Sequence, residues 1–354
     1  MRLRRRAFIA GALAAGGCAS MSSSVPAERR PLIIAHRGAS GERPEHAMAA
    51  YRLAIAQGAD YIEPDLVMTR DGVLACRHEN EISGTTDIAD HPEFAERRTR
   101  KTIDGIEAIG WFTEDFTLEE LKSLRCRERL PELRPANTAF DGQEQIPTFA
   151  EALALAQDHG VGIYPELKHP SYFAGFGLDP IPAFVSAVRG AGADPDTLLV
   201  QCFETDALRT LASMSSFRFR CVQLIAAEGG PWDRRGAGTA FADMLTDRGL
   251  AEIAAYAMAI GVEKSLIIPR DEEERSLPPT DLIARAHAAG LEVHAWTFRA
   301  ENIFLPAELR SGAPDETGFE VVHGDLAAEL RALYALGIDG VFSDFPGLAA
   351  AARP

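Results

Sequence analysis

Histidines and acidic residues cluster where apolar runs end, and their types point to proton transfer beside a metal ion. His36-Arg37-Gly38 follows the run Leu32-Ile33-Ile34-Ala35, and Arg77-His78-Glu79 follows Val73-Leu74-Ala75-Cys76. Imidazoles exchange protons near neutral pH, so His36 and His78 are candidates for general acid and base. Arg37 offers a guanidinium fork that fits a phosphate oxygen. Glu63 and Asp65 are two apart in an extended run, a spacing that puts both on one face. Glu166 and Lys168 repeat that spacing elsewhere. Three carboxylates gathered together repel one another unless a cation compensates. An oxygen-only set (Glu63, Asp65, Glu166) selects a hard divalent ion, Ca²⁺ or Mg²⁺, over zinc. With Arg37, Lys168 and two imidazoles alongside, the set suits cleavage of a phosphate diester. Trp296 reads either as an apolar wall of the pocket or as a packing residue.

The elements that must position these groups alternate strand and helix. Strand-like runs occur at Leu32–Ala35, Ala59–Val67, Val161–Leu167, Leu198–Phe203, Phe217–Ile225, Ser265–Ile268, Leu291–Thr297 and Ile338–Phe342. Helical spacing fills His46–Gln57, Thr148–His159, Ile181–Gly190, Thr280–Ala289 and Leu326–Leu336. Gly58, Gly160, Gly290 and Gly337 follow helices, as expected at helix C-termini. Strands apolar throughout suit a parallel sheet covered by helices, and eight such units make a (β/α)₈ TIM barrel, α/β in class. A doubly wound open sheet is the runner-up, but no G-x-G-x-x-G turn is found for it. Residues 80–145 break the rhythm and read as an insertion between strand 2 and helix 2, shaping access to the catalytic face. Within it, Leu118–Leu124 is expected to be a short helix. Glu228–Thr239 reads as a second irregular loop. His46, His91, His159, His169, His287 and His323 are taken as surface or packing residues, and His294 as a residue that either packs or lines the barrel interior.

The 354 residues are 46% hydrophobic and 25% charged, enough to bury a large core. The formal charge of −16 disfavours nucleic acid as a partner. Residues 1–30 read as signal peptide and tether, ahead of a barrel domain at 31–354. Arg2, Arg4, Arg5 and Arg6 precede a short apolar run from Ala7 to Gly17, a signal-peptide pattern too short for a mature membrane span. Arg5-Arg6-Ala7-Phe8-Ile9 resembles a twin-arginine signal, which would export a folded protein to the periplasm. Ala15-Gly16-Gly17-Cys18 resembles a lipoprotein cleavage site with Cys18 as a membrane tether, although Ala15 stands where that pattern prefers Leu. Loss of residues 1–17 removes four positive charges, giving −16 − 4 = −20. Cys76, Cys126, Cys202 and Cys221 remain, and buried free thiols are the reading adopted.

Taken together, His36-Arg37-Gly38-Ala39-Ser40, Pro44-Glu45-His46 and Gly58-Ala59-Asp60-Tyr61-Ile62-Glu63-Pro64-Asp65-Leu66-Val67 resemble the glycerophosphodiester phosphodiesterase family, in its exported periplasmic branch. Thr69-Arg70-Asp71-Gly72, His78, Glu166-Leu167-Lys168, Trp296 and Asp339-Gly340-Val341-Phe342-Ser343-Asp344-Phe345-Pro346 agree, so the likeness runs from about residue 32 to 350. The resemblance implies a barrel enzyme that hydrolyses deacylated phospholipids to sn-glycerol 3-phosphate and an alcohol. It implies one divalent cation on Glu63, Asp65 and Glu166, His36 and His78 as the acid–base pair, and Arg37 and Lys168 on the phosphate. Two departures stand out. His46-Ala47 replaces the family's usual Asn-Thr, which bears on the first catalytic loop. Glu79 replaces Asp after His78, and its longer side chain is expected to disturb an orienting hydrogen bond to that histidine. Alternatives are a non-catalytic glycerophosphodiester-binding lipoprotein, a phospholipase acting on intact lipid, or a sugar isomerase on the same barrel.

Overall fold

A computed structural model describes residues 30–354; the stretch expected to be a signal peptide, with Arg5, Arg6 and Cys18, lies outside the described residues. Eight parallel strands close on themselves. They are β1 (Leu32–His36), β2 (Tyr61–Glu63 continuing as Asp65–Met68), β3 (Gly162–Ile163 continuing as Glu166–Leu167), β4 (Leu199–Cys202), β5 (Arg220–Ile225), β6 (Ala259–Glu263), β7 (Glu292–Phe298) and β8 (Gly340–Ser343). Each pairs with the next, and β8 pairs back onto β1, with Ile33 opposite Val341. This is the expected TIM barrel. Its helices follow the strands in order: α1 (Met48–Ala56), α2 (Phe149–His159), α3 (Pro180–Gly190), α4 (Thr205–Ala212), α5 (Asp247–Ala254), α6 (Leu282–Ala288), α7 (Leu326–Ala335) and α8 (Pro346–Ala352).

The local chemistry explains the boundaries. The α2 helix opens with a reciprocal cap between Thr148 and Glu151 and closes at left-handed Gly160. The α3 helix starts at Pro180 behind the Asp179 cap. One boundary differs from the sequence reading. The sixth strand is Ala259–Glu263, and Lys264–Leu266 is a 3₁₀ turn rather than the expected Ser265–Ile268 strand. Ala259-Ile260-Gly261-Val262 runs on from an Ala-rich helix, so composition alone did not separate the two.

Prolines break β2 and β3 at the same level. Lacking an N–H, each leaves a gap in the ladder, yet both carbonyls remain in use: Pro64 accepts from Glu166 N at 2.9 Å and Pro165 from Gln201 N at 2.9 Å. Inside the barrel a buried layer of Ile34, Tyr61, Tyr164, Leu199, Val222, Ala259 and Phe342 forms the floor beneath the strand ends. Gly162 is needed there, because a Cβ would sit 2.2 Å from the Tyr61 ring. His294 lies in this interior, hydrogen-bonded to Tyr164 Oη at 2.8 Å. A larger apolar cluster lies between strands and helices.

Between β2 and α2 the chain makes no barrel unit. Leu74–Cys76 turns back antiparallel on β2. Then come 3₁₀ turns, a hairpin of Thr99–Ile103 with Ile106–Gly110, and a short helix at Leu118–Ser123 capped by Thr117 and Glu120. Cys76, Cys126, Cys202 and Cys221 are buried free thiols. Among the described residues no helix is long and apolar enough to cross a membrane.

Candidate active site

The pairing register assembles the site. His36 stands opposite Glu63, Asp65 opposite Glu166, and Glu166 opposite Gln201, all at the C-terminal ends of β1 to β4. Oxygens of Glu63, Asp65 and Glu166 lie within 4.8 Å of one another, and all three residues are buried. His36, Arg37, His78 and Trp296 join Glu63 and Glu166 around a cavity of about 880 Å³. Lys168 reaches the same corner, with Nζ 2.9 Å from Glu166 Oε1. The structure therefore brings all eight sequence-selected residues to one end of the barrel.

The loop after β1 is strained in a purposeful way. Arg37 sits in the left-handed region (φ 60°), which for a bulky residue costs energy. That conformation aims its amide at Glu63 Oε2, 2.9 Å away. Gly38 follows at φ 85°, where a Cβ would come 2.7 Å from the Ala50 backbone, so only glycine fits. The Arg37 guanidinium contacts Glu45 at 2.9 Å and Asp65 at 3.2 Å while still facing the cavity.

Electrostatics show that the acidic corner is short of positive charge. Burial, reinforced by Asp65 and Glu166, pushes the Glu63 carboxyl well above its ordinary range. Glu166 rises to about 8, through burial and the neighbouring Asp65, despite its Lys168 partner. Asp65 goes the other way. Burial alone would raise it, but Lys168, His78, His46 and Arg37 hold it well below the carboxylate range. Gln201 donates to Glu63 at 3.0 Å, and its own Oε1 is buried without a hydrogen-bond partner. Three oxygen donors that resist ionising together, plus an orphaned carbonyl oxygen beside them, fit a hard divalent cation.

Both histidines are held as neutral donors at Nδ1. His36 Nδ1 is 2.6 Å from Asp344 Oδ1, and His78 Nδ1 is 2.5 Å from Glu79 Oε1. A carboxylate only accepts, so each imidazole carries its proton at Nδ1 and leaves Nε2 unprotonated. Burial and the nearby Arg37 lower His36 to about 4. Burial, Arg37 and Lys168 lower His78 to about 3. The Glu79 departure thus does the opposite of what its length led us to expect. The extra methylene is absorbed by Arg129, which grips Glu79 at 3.0 and 2.5 Å and Glu45 at 2.6 Å twice.

Several contributors were not selected from sequence. Asp344, at the end of β8, was noted without a role. His46 was grouped with packing residues; it is wholly buried, but its Nε2 lies 3.0 Å from Asp65 Oδ2 and its Nδ1 2.8 Å from Tyr51 Oη. Ala47, beside it, precedes α1 and gives that helix no side-chain cap. Arg129 and Arg134 come from the irregular segment, where nothing but charge density marked them. Trp296 is half-buried, edge-on to Phe203, and donates to Gly261 O at 3.0 Å.

A profile described as the Glycerophosphoryl diester phosphodiesterase family matches residues 36–348. The chain belongs to this family. A glycerophosphodiester phosphodiesterase of Arabidopsis thaliana is 34% identical over 338 residues, covering 90% of this chain and 84% of its own. A Haemophilus influenzae glycerophosphodiester phosphodiesterase is 29% identical, covering 95% and 94%. Among solved structures, a glycerophosphodiester phosphodiesterase from Agrobacterium tumefaciens shares the fold with a TM-score of 0.55 at 20% identity, covering 91% and 99%. An Oleispira antarctica phosphodiesterase, solved in complex with its product sn-glycerol-3-phosphate, does so with a TM-score of 0.57 at 23% identity, covering 91% and 96%. The enzyme is accordingly a glycerophosphodiester phosphodiesterase, a phosphoric diester hydrolase.

Proposed function

We propose that this phosphodiesterase hydrolyses glycerophosphodiesters, releasing sn-glycerol 3-phosphate and an alcohol, with a divalent cation and two histidines. The observation that carries this reading is the convergence of Glu63, Asp65 and Glu166 beside two imidazoles of fixed tautomer. Glu63, Asp65 and Glu166 would hold the cation, Ca²⁺ ahead of Mg²⁺, with Gln201 adjacent. When bound, such an ion neutralises charge on the phosphate oxygens. Arg37 and Lys168 supply further positive charge to the diester, and the Trp296 and Phe203 rings line the cavity for the remainder of the substrate. One imidazole accepts the nucleophile's proton at Nε2. The other, once protonated, delivers a proton to the departing alkoxide oxygen. Asp344 and Glu79 hold each ring with Nε2 available and stabilise the imidazolium that forms.

The test is release of glycerol 3-phosphate from glycerophosphocholine and glycerophosphoethanolamine, with and without EDTA and with Ca²⁺ or Mg²⁺ restored. Release that stops on chelation and returns with metal is expected. Release unaffected by chelation would overturn the metal assignment, and release from no diester would leave only a binding protein. We further propose export to the periplasm through the Arg5-Arg6 leader, with Cys18 lipidated. Supporting this are the four leader arginines and the short apolar run behind them. Labelling with radioactive palmitate, lost in Cys18→Ser, tests the tether.

A further inference from the structure

The two imidazoles lie on different parts of the chain, yet their carboxylate partners are gripped from one place. Arg129 and Arg134 are five residues apart on the segment preceding the 3₁₀ turn Pro135–Phe140. Arg129 forks onto Glu79, the partner of His78, at 3.0 and 2.5 Å. With the same guanidinium it forks onto Glu45, both contacts at 2.6 Å, and Glu45 in turn holds Arg37. Arg134 reaches the other side. Its Nη2 is 2.6 Å from Asp344 Oδ2, the partner of His36, while Nε takes Glu301 at 2.6 Å and Nη1 the Ser40 carbonyl at 2.9 Å.

We propose that the segment Arg129–Arg134 is a brace that aligns the acid–base pair: Arg129 positions His78 through Glu79 and Arg37 through Glu45, and Arg134 positions His36 through Asp344. The inference rests on the acid–base reading of the two histidines. Neither arginine is a catalytic residue, since each acts through a carboxylate on a ring nitrogen that faces away from the unprotonated Nε2.

Three observations argue that the contacts align rather than merely fasten the loop. First, Arg129 contacts Glu79 and Glu45 with two prongs each, which fixes the plane of each carboxylate as well as its distance, and Arg134 spends its three nitrogens on three separate acceptors, Asp344, Glu301 and the Ser40 carbonyl, which fixes the guanidinium itself. Second, each carboxylate is shared. One oxygen of Asp344 takes the imidazole and the other takes Arg134, and Arg299 Nε joins that second oxygen at 2.9 Å. Rotation of Asp344 would therefore break contacts on both sides. Third, the segment itself is tied down. Buried Glu128 accepts from Leu130 N at 2.8 Å and Asn137 Nδ2 at 2.9 Å, and Glu128 N donates to Asp141 at 2.7 Å. Coupling through hydrogen-bonded partners of this kind is worth roughly 10–100-fold where it orients a functional group.

The brace predicts different kinetic signatures for its two ends. Arg134→Ala should lower kcat by about 10–100-fold with KM changed less than about threefold, because Asp344 bears on the His36 ring and makes no contact with Arg37 or Lys168. Arg129→Ala should lower kcat by a similar factor and also raise KM, because Glu45 carries Arg37 to the phosphate. The decisive measurement is a double-mutant cycle on full-length enzyme, glycerol 3-phosphate release being the readout. Arg129→Ala with Glu79→Gln, and Arg134→Ala with Asp344→Asn, should each be no slower than the slower single variant, since both members act along one route. Losses that multiply would overturn the route. Folded variants, checked by circular dichroism and melting, with kcat within twofold of wild type would overturn the brace outright. Should the alanine variants unfold, Arg129→Lys and Arg134→Lys retain the charge but lose the planar guanidinium that reaches several acceptors at once. A kcat loss in these at unchanged melting temperature supports alignment, and wild-type kcat refutes it. Failure of the underlying reading looks different: His36→Ala and His78→Ala would then keep full turnover.

Discussion

Glu63, Asp65 and Glu166 stand on neighbouring barrel strands whose register alone brings them together. His78 stands outside the barrel ladder, and its ring is set by Glu79 and by an arginine 50 residues beyond that glutamate. The acidic corner is thus built from backbone hydrogen bonds that any parallel barrel makes, and the side chains have only to be of the right type. The His78 backbone leaves an antiparallel pairing of Leu74–Cys76 with β2, but the orientation of its ring is set by charged side chains. The contrast teaches that a barrel supplies position cheaply at strand ends, whereas a group on a loop needs extra anchors, here the half-buried ion pair of Glu79 with Arg129. His36 lies between the two cases. Its backbone is strand and its ring partner, Asp344, follows the last strand, yet an irregular segment still contributes Arg134.

The sharpest way to probe the contrast is to remove each imidazole. His36→Ala and His78→Ala should each lower turnover by roughly 10²–10⁴-fold without loss of fold, measured as glycerol 3-phosphate release. Wild-type-like turnover in either would remove that ring from the chemistry. Next comes the acidic corner. Glu63→Gln keeps an oxygen donor but loses a charge, so activity should fall by about 10²-fold and recover in part at high metal. An unchanged half-maximal metal concentration would contradict the ligand role. His46→Ala should act more weakly, raising that concentration by about tenfold, because of the three acids His46 bonds Asp65 alone, its other nitrogen going to Tyr51. The corner then depends on its strands alone if His46→Ala has no effect.

The smallest expected effect concerns an acid near the end of β4 that forms no ion pair with a lysine or arginine among the described residues. Glu204 is buried, accepts from Ser171, and rises to about 7 through burial, with Asp104 and Asp233 adding to the rise. Its protonated form is favoured in the folded state, so its contribution is full below about pH 4.5 and is lost as pH climbs to about 7. Glu204→Gln should match wild type near pH 4 and exceed it by roughly 1–3 kcal/mol at pH 8 in urea unfolding. Equal stability at both pH values would show that Glu204 ionises freely in the folded protein.

The same division separates what was legible in the sequence from what was not. Residues at strand ends were legible, because apolar runs announce strands and polar residues closing them fall on one rim. Glu63, Asp65 and Glu166 needed nothing further. Side-chain anchors were not, because their partners are distant along the chain: Arg134 meets Asp344 across 210 residues and Arg129 meets Glu45 across 84. The Glu79 departure was misjudged for that reason. Its length looked disruptive only while Arg129 was out of view. His46 was underrated because a buried histidine and a packing histidine look alike in sequence. The sixth strand was displaced because its glycine and alanine blend into the preceding helix, whereas in the barrel Gly261 makes room for Leu224.

The four described cysteines carry one more consequence. Cys76, Cys126, Cys202 and Cys221 are all interior and none is cross-linked, so no covalent bond between distant segments has to form before the barrel closes. Maturation of this part of the chain is independent of any oxidant. A polypeptide that finishes its architecture in reducing surroundings and only afterwards crosses a membrane would meet no chemical obstacle here.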